Sequence, residues 1–427
     1  MMQDWFPKAK LGIMIHYGIY AVGDVSESWS FHNRQIPYED YMKQCRGFTA
    51  SRYDPEKWAK LFRKAGARYA VMTAKHHDGV AMFNTAYSDL SVVRKTPAKR
   101  DLIAPYVKAM RKAGLKVGVY FSLIDWSDPR YRTVYPEGER PEDHRNDVFA
   151  TPAGGPEDRK RWKDFLQFNR NQIGELMRNY GTVDLLWFDG DWERSATQWE
   201  MPEFREYLHS LNPHVVLNSR MQGYGDYETP EQGIPLRSLR KPWEFCTTIN
   251  TSWGYRPSDN DYKTSRQIVR MFCDCLTLGG NMLLDIGPKE DGTIDSRQEQ
   301  VLLDLGGWIH DNEEAVYEPG KGLDYSRYLG GSTISSDGKT VYLFVYDRPS
   351  EYVCVKGIKT PVKRVSVLHT GEELPWRYTG SLPWSGIPGT LWIRGDRMRL
   401  HPMVTVLKVE LEGKITYNVG HGEVTQN

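Results

Sequence analysis

The chain has 427 residues, 40% hydrophobic and 26% charged, which excludes disorder as its main state, and no run of about 18 apolar residues suggests a membrane-spanning helix. Lys plus Arg is 56 and Asp plus Glu is 55, a net charge of +1, and that balance argues against a dedicated nucleic-acid binder. The 14 Trp and 25 Tyr lean toward carbohydrate, because aromatic faces stack on sugar C–H faces, although an aromatic-rich core would give the same composition.

Short apolar runs alternate with amphipathic stretches over the first three quarters. Leu11 to His16 (LGIMIH) reads as the first buried strand. Pro55 to Ala67 follows as a helix, with proline early and Gly66 near its end. Tyr69 to Thr73, a helix over Asp101 to Ala113, and Lys116 to Phe121 come next. A long helix from about Glu157 to Tyr180 precedes Val183 to Phe188. A helix over Met201 to Leu211 leads to Val215 to Asn218, and Trp243 to Thr247 is a further strand. A helix over Ser265 to Leu278, the strand Asn281 to Ile286 and a helix over Asp295 to His310 complete the series. Continuous apolar strands alternating with helices imply a covered parallel sheet, and seven or eight units favour a (β/α)8-like barrel. Neither GxGxxG after a strand nor a Walker A sequence occurs, which argues against nucleotide-binding variants. Beyond about Gly320, runs such as YLFVYD, TLWIRG and VTVLKVEL lie between turn residues and read as a small C-terminal β-sandwich. The expected division is therefore a catalytic barrel over 1–320 and a sandwich over 321–427.

The five cysteines form no CxxC pair, so neither a zinc nor a redox site is expected, and free thiols suit a reducing compartment. The first residues, MMQDWFPKAKLG, carry no apolar signal region, so a cytoplasmic protein is expected.

Barrel enzymes draw their chemistry from the C-terminal ends of strands. Those ends here carry His16, then Lys75-His76-His77-Asp78, Tyr120, Trp187 and Asp189, and Arg220, with Glu231 and Glu244 just beyond. Glycosidic hydrolysis needs two carboxyl groups flanking the anomeric carbon. Asp189 suits the nucleophile, since it ends a buried strand and Gly190 lets a ligand approach; a helix N-cap would be its plain structural role. Trp187, two residues earlier, projects to the same side and can wall the pocket. His16, His76, His77 and Arg220 can fix sugar hydroxyls. A metal site on His76, His77 and Asp78 is the competing reading, disfavoured because consecutive residues of an extended chain project oppositely. The same residues would also serve a hydrolase of another sugar, such as galactose, or a sugar-binding protein without turnover.

The segments WFPKAKLGIMIHYGIY, AKHHDGVAMFNTAYSDLSV, KVGVYFSLIDW, LLWFDGDW, PWEFCTTINTSWGY and LGGNMLLDIGPKEDGTI, in this order, resemble the α-L-fucosidases of glycoside hydrolase family 29 over roughly residues 3–310. The resemblance implies a (β/α)8-like barrel with a C-terminal β-sandwich and a retaining double displacement on terminal α-linked L-fucose, without metal or cofactor. It implies Asp189 as nucleophile and His16, His76, His77, Tyr120, Trp187 and Arg220 as sugar contacts. Glu27 is a further polar contact, and its spacing to Trp29 departs from the usual Glu-Trp pair. Tyr17 stands where the family commonly has tryptophan. The position shortly after the arginine favours Glu231 as acid/base, with Glu244 the second candidate and Glu228 a third. Trp253, in SWGY, is expected as a wall for the sugar methyl. The implied partner is a fucosylated oligosaccharide or glycoconjugate, with neither nucleic acid nor membrane, and a homo-oligomer is compatible with this reading.

Overall fold

The computed structural model describes residues 2–131, 156–382, 384 and 386–418. Seven strands form one sheet: β1 (Leu11–Ile15), β2 (Tyr69–Lys75), β3 (Lys116–Ser122), β4 (Leu185–Asp189), β5 (Val216–Leu217), β6 (Glu244–Thr248) and β7 (Asn281–Ile286). Their order is β5-β4-β3-β2-β1-β7-β6. The ladders from β1 to β5 are parallel, and the strands are buried along nearly their whole length. Burial on both faces explains why these segments are runs of Val, Ile, Leu and Met instead of alternating patterns.

The two edge strands are joined by an irregular segment. Tyr227 bridges Asn218 beyond β5, Glu228 bridges Trp243, and Glu231 bridges Cys246 of β6, all three in parallel sense. The backbone N–H of Cys246 donates to the Pro230 carbonyl at 3.0 Å, and that of Gln232 to the Cys246 carbonyl at 2.9 Å. The sheet thus closes as a (β/α)8-like barrel whose eighth element pairs only at single residues. Glycine and proline in GYGDYETPE give no strand pattern, so the sequence reads there as loop.

The helices follow their local signals. Pro55–Lys64 starts with proline in its first turn, and Asp54 Oδ1 accepts from Lys57 N at 3.0 Å. It buries Trp58, Ala59 and Phe62, a spacing that puts them on one face. Ser265–Leu278 carries a capping box made by Thr264 and Gln267 and ends at Gly279 with φ of 81°. Helices Ile103–Lys112, Pro156–Asn179, Met201–Leu211 and Ser296–Asp311 occupy the other expected stretches.

Among the described residues the chain forms two compact units that interleave in sequence. One draws on Met1–Gln232, Lys241–Tyr262 and Leu283–Gln300; the other on Gly233–Arg240, Lys263–Met282 and Val301–Asn427. The second contains β8 (Gly320–Lys321), β9 (Ser332–Ile334), β10 (Thr340–Val345), β11 (Tyr352–Lys356), β12 (Val362–Val367), β13 (Trp376–Thr379), β14 (Thr390–Arg394) and β15 (Thr405–Leu411). They make a five-stranded sheet, β12-β15-β10-β9-β8, and a three-stranded sheet, β11-β14-β13. Alternate residues such as Val341, Leu343, Val353, Val355, Leu391, Ile393, Leu407 and Val409 build the β-sandwich core. No helix of the described residues is long and apolar enough to cross a membrane.

Candidate active site

Asp189 is the last residue of β4, opposite Ser122 of β3 in the parallel register. Trp187, two residues before it, is opposite Tyr120, so the two rings face the same way and stack at 5.5 Å with 18° between their planes. The Tyr120 hydroxyl donates to Asp189 Oδ2 at 3.0 Å. Behind them Asn218 clamps β4: Phe188 N donates to its Oδ1, and its Nδ2 donates to the Phe188 carbonyl, both at 2.8 Å. This side-chain pairing continues the sheet where β5 has stopped and fixes the backbone adjoining Asp189. The chain then turns at Gly190, whose φ is 82°; a Cβ there would lie 2.6 Å from Ile124 Cγ1.

Arg220 follows β5 and lies between two carboxyl groups. Its Nη1 donates to Asp189 Oδ1 at 3.0 Å, and its Nη2 donates to Glu231 Oε2. Burial acts against the Arg220 charge, but the carboxylates of Asp189 and Glu231 outweigh it and hold the guanidinium above its ordinary value. Asp189 is 16% exposed and Glu231 37%, so one carboxyl is set deep and the other stands at the mouth.

These groups open on a cavity of about 260 Å³, lined also by His16, His76, Tyr120, Trp187 and Trp253. A space of this size suits one small sugar. His76 Nδ1 lies 2.7 Å from Ser28 Oγ, and its ring stacks on Tyr120 at 5.6 Å and 10°. His77 Nδ1 lies 2.6 Å from Ser122 Oγ, which itself donates to the Ile124 carbonyl. His77 Nε2 is 3.6 Å from Asp189 Oδ2. Burial lowers His77 to about 3, with His16, Arg220 and Lys75 adding to the effect. Burial lowers His16 to about 4 against the opposing pull of Glu27, Asp189 and Glu231, and holds His76 well below its ordinary value. Neutral imidazoles each offer a donor and an acceptor, which matches a hydroxyl.

His77, Glu27, Glu244 and Glu228, singled out from the sequence, stand outside this lining. His77 approaches Asp189 without a hydrogen bond to it. Glu27 is buried, and its Oε1 accepts from Gly254 N at 2.6 Å, tying the loop after β1 to the loop bearing Trp253. Glu244 is fully buried at the start of β6. It accepts from Trp187 Nε1 at 2.9 Å, from the Tyr227 hydroxyl at 3.3 Å and from the Tyr69 hydroxyl. His76, His77 and Asp78 do not converge: Asp78 turns to the Tyr41 hydroxyl at 2.6 Å and to Val80 N at 3.0 Å. Among the described residues no three His, Cys, Asp or Glu side chains are grouped to hold a metal.

Trp29, Trp192, Met14 and Cys246 also line the cavity. Trp192 is 44% exposed and stacks on Trp29 at 6.2 Å and 13°. Trp192 closes the segment LLWFDGDW, and its nearness to Asp189 in the chain is the one signal that points to it. Met14 and Cys246 are apolar positions inside strands, and the sequence does not distinguish them from core.

Burial pushes the Glu244 carboxyl up to about 7, against the hydrogen bonds from Tyr69, Trp187 and Tyr227. The folded state therefore holds this proton more tightly than the unfolded chain. Its contribution is full below the ordinary glutamate value and is lost as pH rises through about 7. The loss is on the order of a few kcal/mol at most. Urea denaturation of Glu244→Gln at pH 5 and pH 8 is expected to show a smaller difference than the parent; equal differences would assign the pH dependence elsewhere.

A family model described as Alpha-L-fucosidase matches residues 1–314. The chain belongs to the alpha-L-fucosidase family. The family is glycoside hydrolase family 29, and this protein is accordingly a glycoside hydrolase. The chain is 32% identical to the tissue alpha-L-fucosidase of Rattus norvegicus over 340 residues, 73% of this chain and 69% of that protein. Alpha-L-fucosidase isoenzyme 1 from Paenibacillus thiaminolyticus superposes with a TM-score of 0.84 at 33% identity, covering 96% of this chain and 98% of that one. A family 29 alpha-L-fucosidase from Bacteroides thetaiotaomicron, trapped as a covalent intermediate with 2-fluoro-fucosyl fluoride, gives 0.82 at 26% identity, over 95% of each chain.

Proposed function

We propose that the enzyme releases terminal α-linked L-fucose from fucosylated oligosaccharides or glycoconjugates with retention of configuration, Asp189 acting as nucleophile and Glu231 as acid/base. The observation that carries this reading is the single Arg220 guanidinium that contacts both carboxyls at the cavity. One side chain spanning the pair suits the roughly 5 to 5.5 Å separation of retaining enzymes. The covalent intermediate trapped in the Bacteroides relative supports the same course.

Asp189 attacks C1 while Glu231 gives its proton to the departing oxygen; the C1–O bond breaks and an ester to Asp189 forms. Glu231, now ionised, takes a proton from water, whose oxygen attacks C1 and releases Asp189. An acceptor hydroxyl in place of water gives transfucosylation. His16 and His76 hold hydroxyls as neutral rings, and Trp253 with Met14 and Cys246 supplies apolar surface for the C-6 methyl. Glu27 holds the Trp253 loop. The five unpaired cysteines suit a reducing compartment, and we place the enzyme in the cytoplasm.

Nitrophenyl α-L-fucoside is expected to be cleaved in preference to the galactoside, with α-fucose as the first product seen by proton NMR. Preference for the galactoside would replace the substrate; β-fucose as first product would replace the retaining course.

A further inference from the structure

Asp285 is an acidic residue inside the apolar run NMLLDI of β7 and is 1% exposed. Its Oδ1 lies 2.6 Å from Nδ1 of His16, which follows β1. The backbone supports this meeting, since His16 N donates to the Ile286 carbonyl at 2.9 Å. The second carboxyl oxygen, Oδ2, has no hydrogen-bond partner. A buried carboxylate with one oxygen bare is costly, whereas a neutral acid with one good hydrogen bond is not. The charged groups acting on Asp285 are the carboxylates of Glu27 and Glu231, which also oppose a negative charge there.

We propose that Asp285 is a positioning residue: as the neutral acid it donates Oδ1–H to His16 Nδ1, so that His16 presents Nε2–H to the cavity as a donor to one sugar hydroxyl. If the shared proton moves across to Nδ1, the pair becomes an ion pair and Nε2 still keeps its own proton. A neutral partner that only accepts from Nδ1–H would leave Nε2 an acceptor instead. Asp285 thereby sets the direction of one sugar hydrogen bond without touching the sugar. The groups facing His16 are Asp285 from β7, His76 and His77 after β2, Tyr120 from β3, Asp189 ending β4, Glu231 from the closing segment, and Glu27. The inference rests on the proposed function for the sugar, but not for the tautomer.

Two measurements separate these. In enzyme with 15N-labelled histidine, the His16 ring, assigned by its loss in His16→Gln, is expected to carry a proton on Nε2 throughout about pH 5 to 8. A neutral ring protonated on Nδ1 alone would overturn the proposal, whatever the enzyme cleaves. In kinetics, Asp285→Leu is expected to lower kcat/KM about tenfold to a hundredfold. With monodeoxy fucosides, the penalty for removing one particular hydroxyl should shrink in that variant while the others stay. Unchanged penalties at every hydroxyl would reduce Asp285 to packing and overturn the proposal. Failure of the parent enzyme to cleave any fucoside would instead remove the sugar reading. If Asp285→Leu does not fold, the tautomer measurement on the parent still decides.

Discussion

Asp189→Ala is expected to lose about 10⁴-fold or more in kcat on an α-L-fucoside, because the proposed reading makes Asp189 the group that attacks C1. The loss should be chemical and not structural. Asp189 ends β4, and the clamp from Asn218 acts on Phe188, so the variant should fold with near-parental stability. Added azide fits the space left by the carboxylate and should restore part of the rate, entering from the nucleophile's side. The product should then be the β-fucosyl azide, inverted relative to substrate. Recovery of full activity without azide, or an azide product of retained configuration, would move the nucleophile to another side chain. In the same variant Arg220 loses its hydrogen bond to Asp189 and keeps the one to Glu231.

Glu231→Ala is expected to behave differently with different leaving groups. For a sugar leaving group, which departs as a basic alkoxide unless protonated, kcat/KM should fall about 10² to 10⁴-fold. For a dinitrophenyl group, which leaves without a proton, the first step should be nearly unaffected and turnover should stall at the ester. Azide should accelerate that second step and give a product of retained configuration. Full activity of this variant on a fucosylated sugar would pass the role to Glu244 or Glu228. Glu244 meets a different environment: its carboxyl accepts from Tyr69, Trp187 and Tyr227 inside the barrel wall, and it is fully buried. Its removal should disturb Trp187 and the pH dependence of stability before it disturbs proton transfer.

Much of the barrel is legible in the sequence because each strand is buried on both faces and is therefore spelled as an aliphatic run. The helix Met201–Leu211 and the strand Asn281–Ile286 have the extents that periodicity gives them. The eighth element is not legible. Tyr227 to Glu231 pairs through isolated bridges, and a segment that need not form a ladder carries no strand pattern. Nor is it legible that Ser265–Leu278 clusters with the sandwich residues, since an amphipathic face does not name its partner.

In the site, His16, His76, Asp189 and Arg220 stand out as polar residues closing apolar strands. Asp285 carries the same signal, a carboxyl inside an apolar run, but one acidic residue within a strand does not say which side chain it meets. Trp29 and Trp192 depend on how the segments after β1 and β4 fold over the cavity, which no local pattern states.

By itself the order of residues determined the element series, the family resemblance and the chemical types available at the strand ends, because periodicity and residue type are local properties. The tertiary structure decided which of those groups meet. Strand register puts Tyr120 beside Trp187 and Asp189, barrel closure brings Glu231 within reach of Arg220, and burial keeps the histidines neutral. Those are properties of distance and solvent exclusion, and they exist only once the chain has closed on itself.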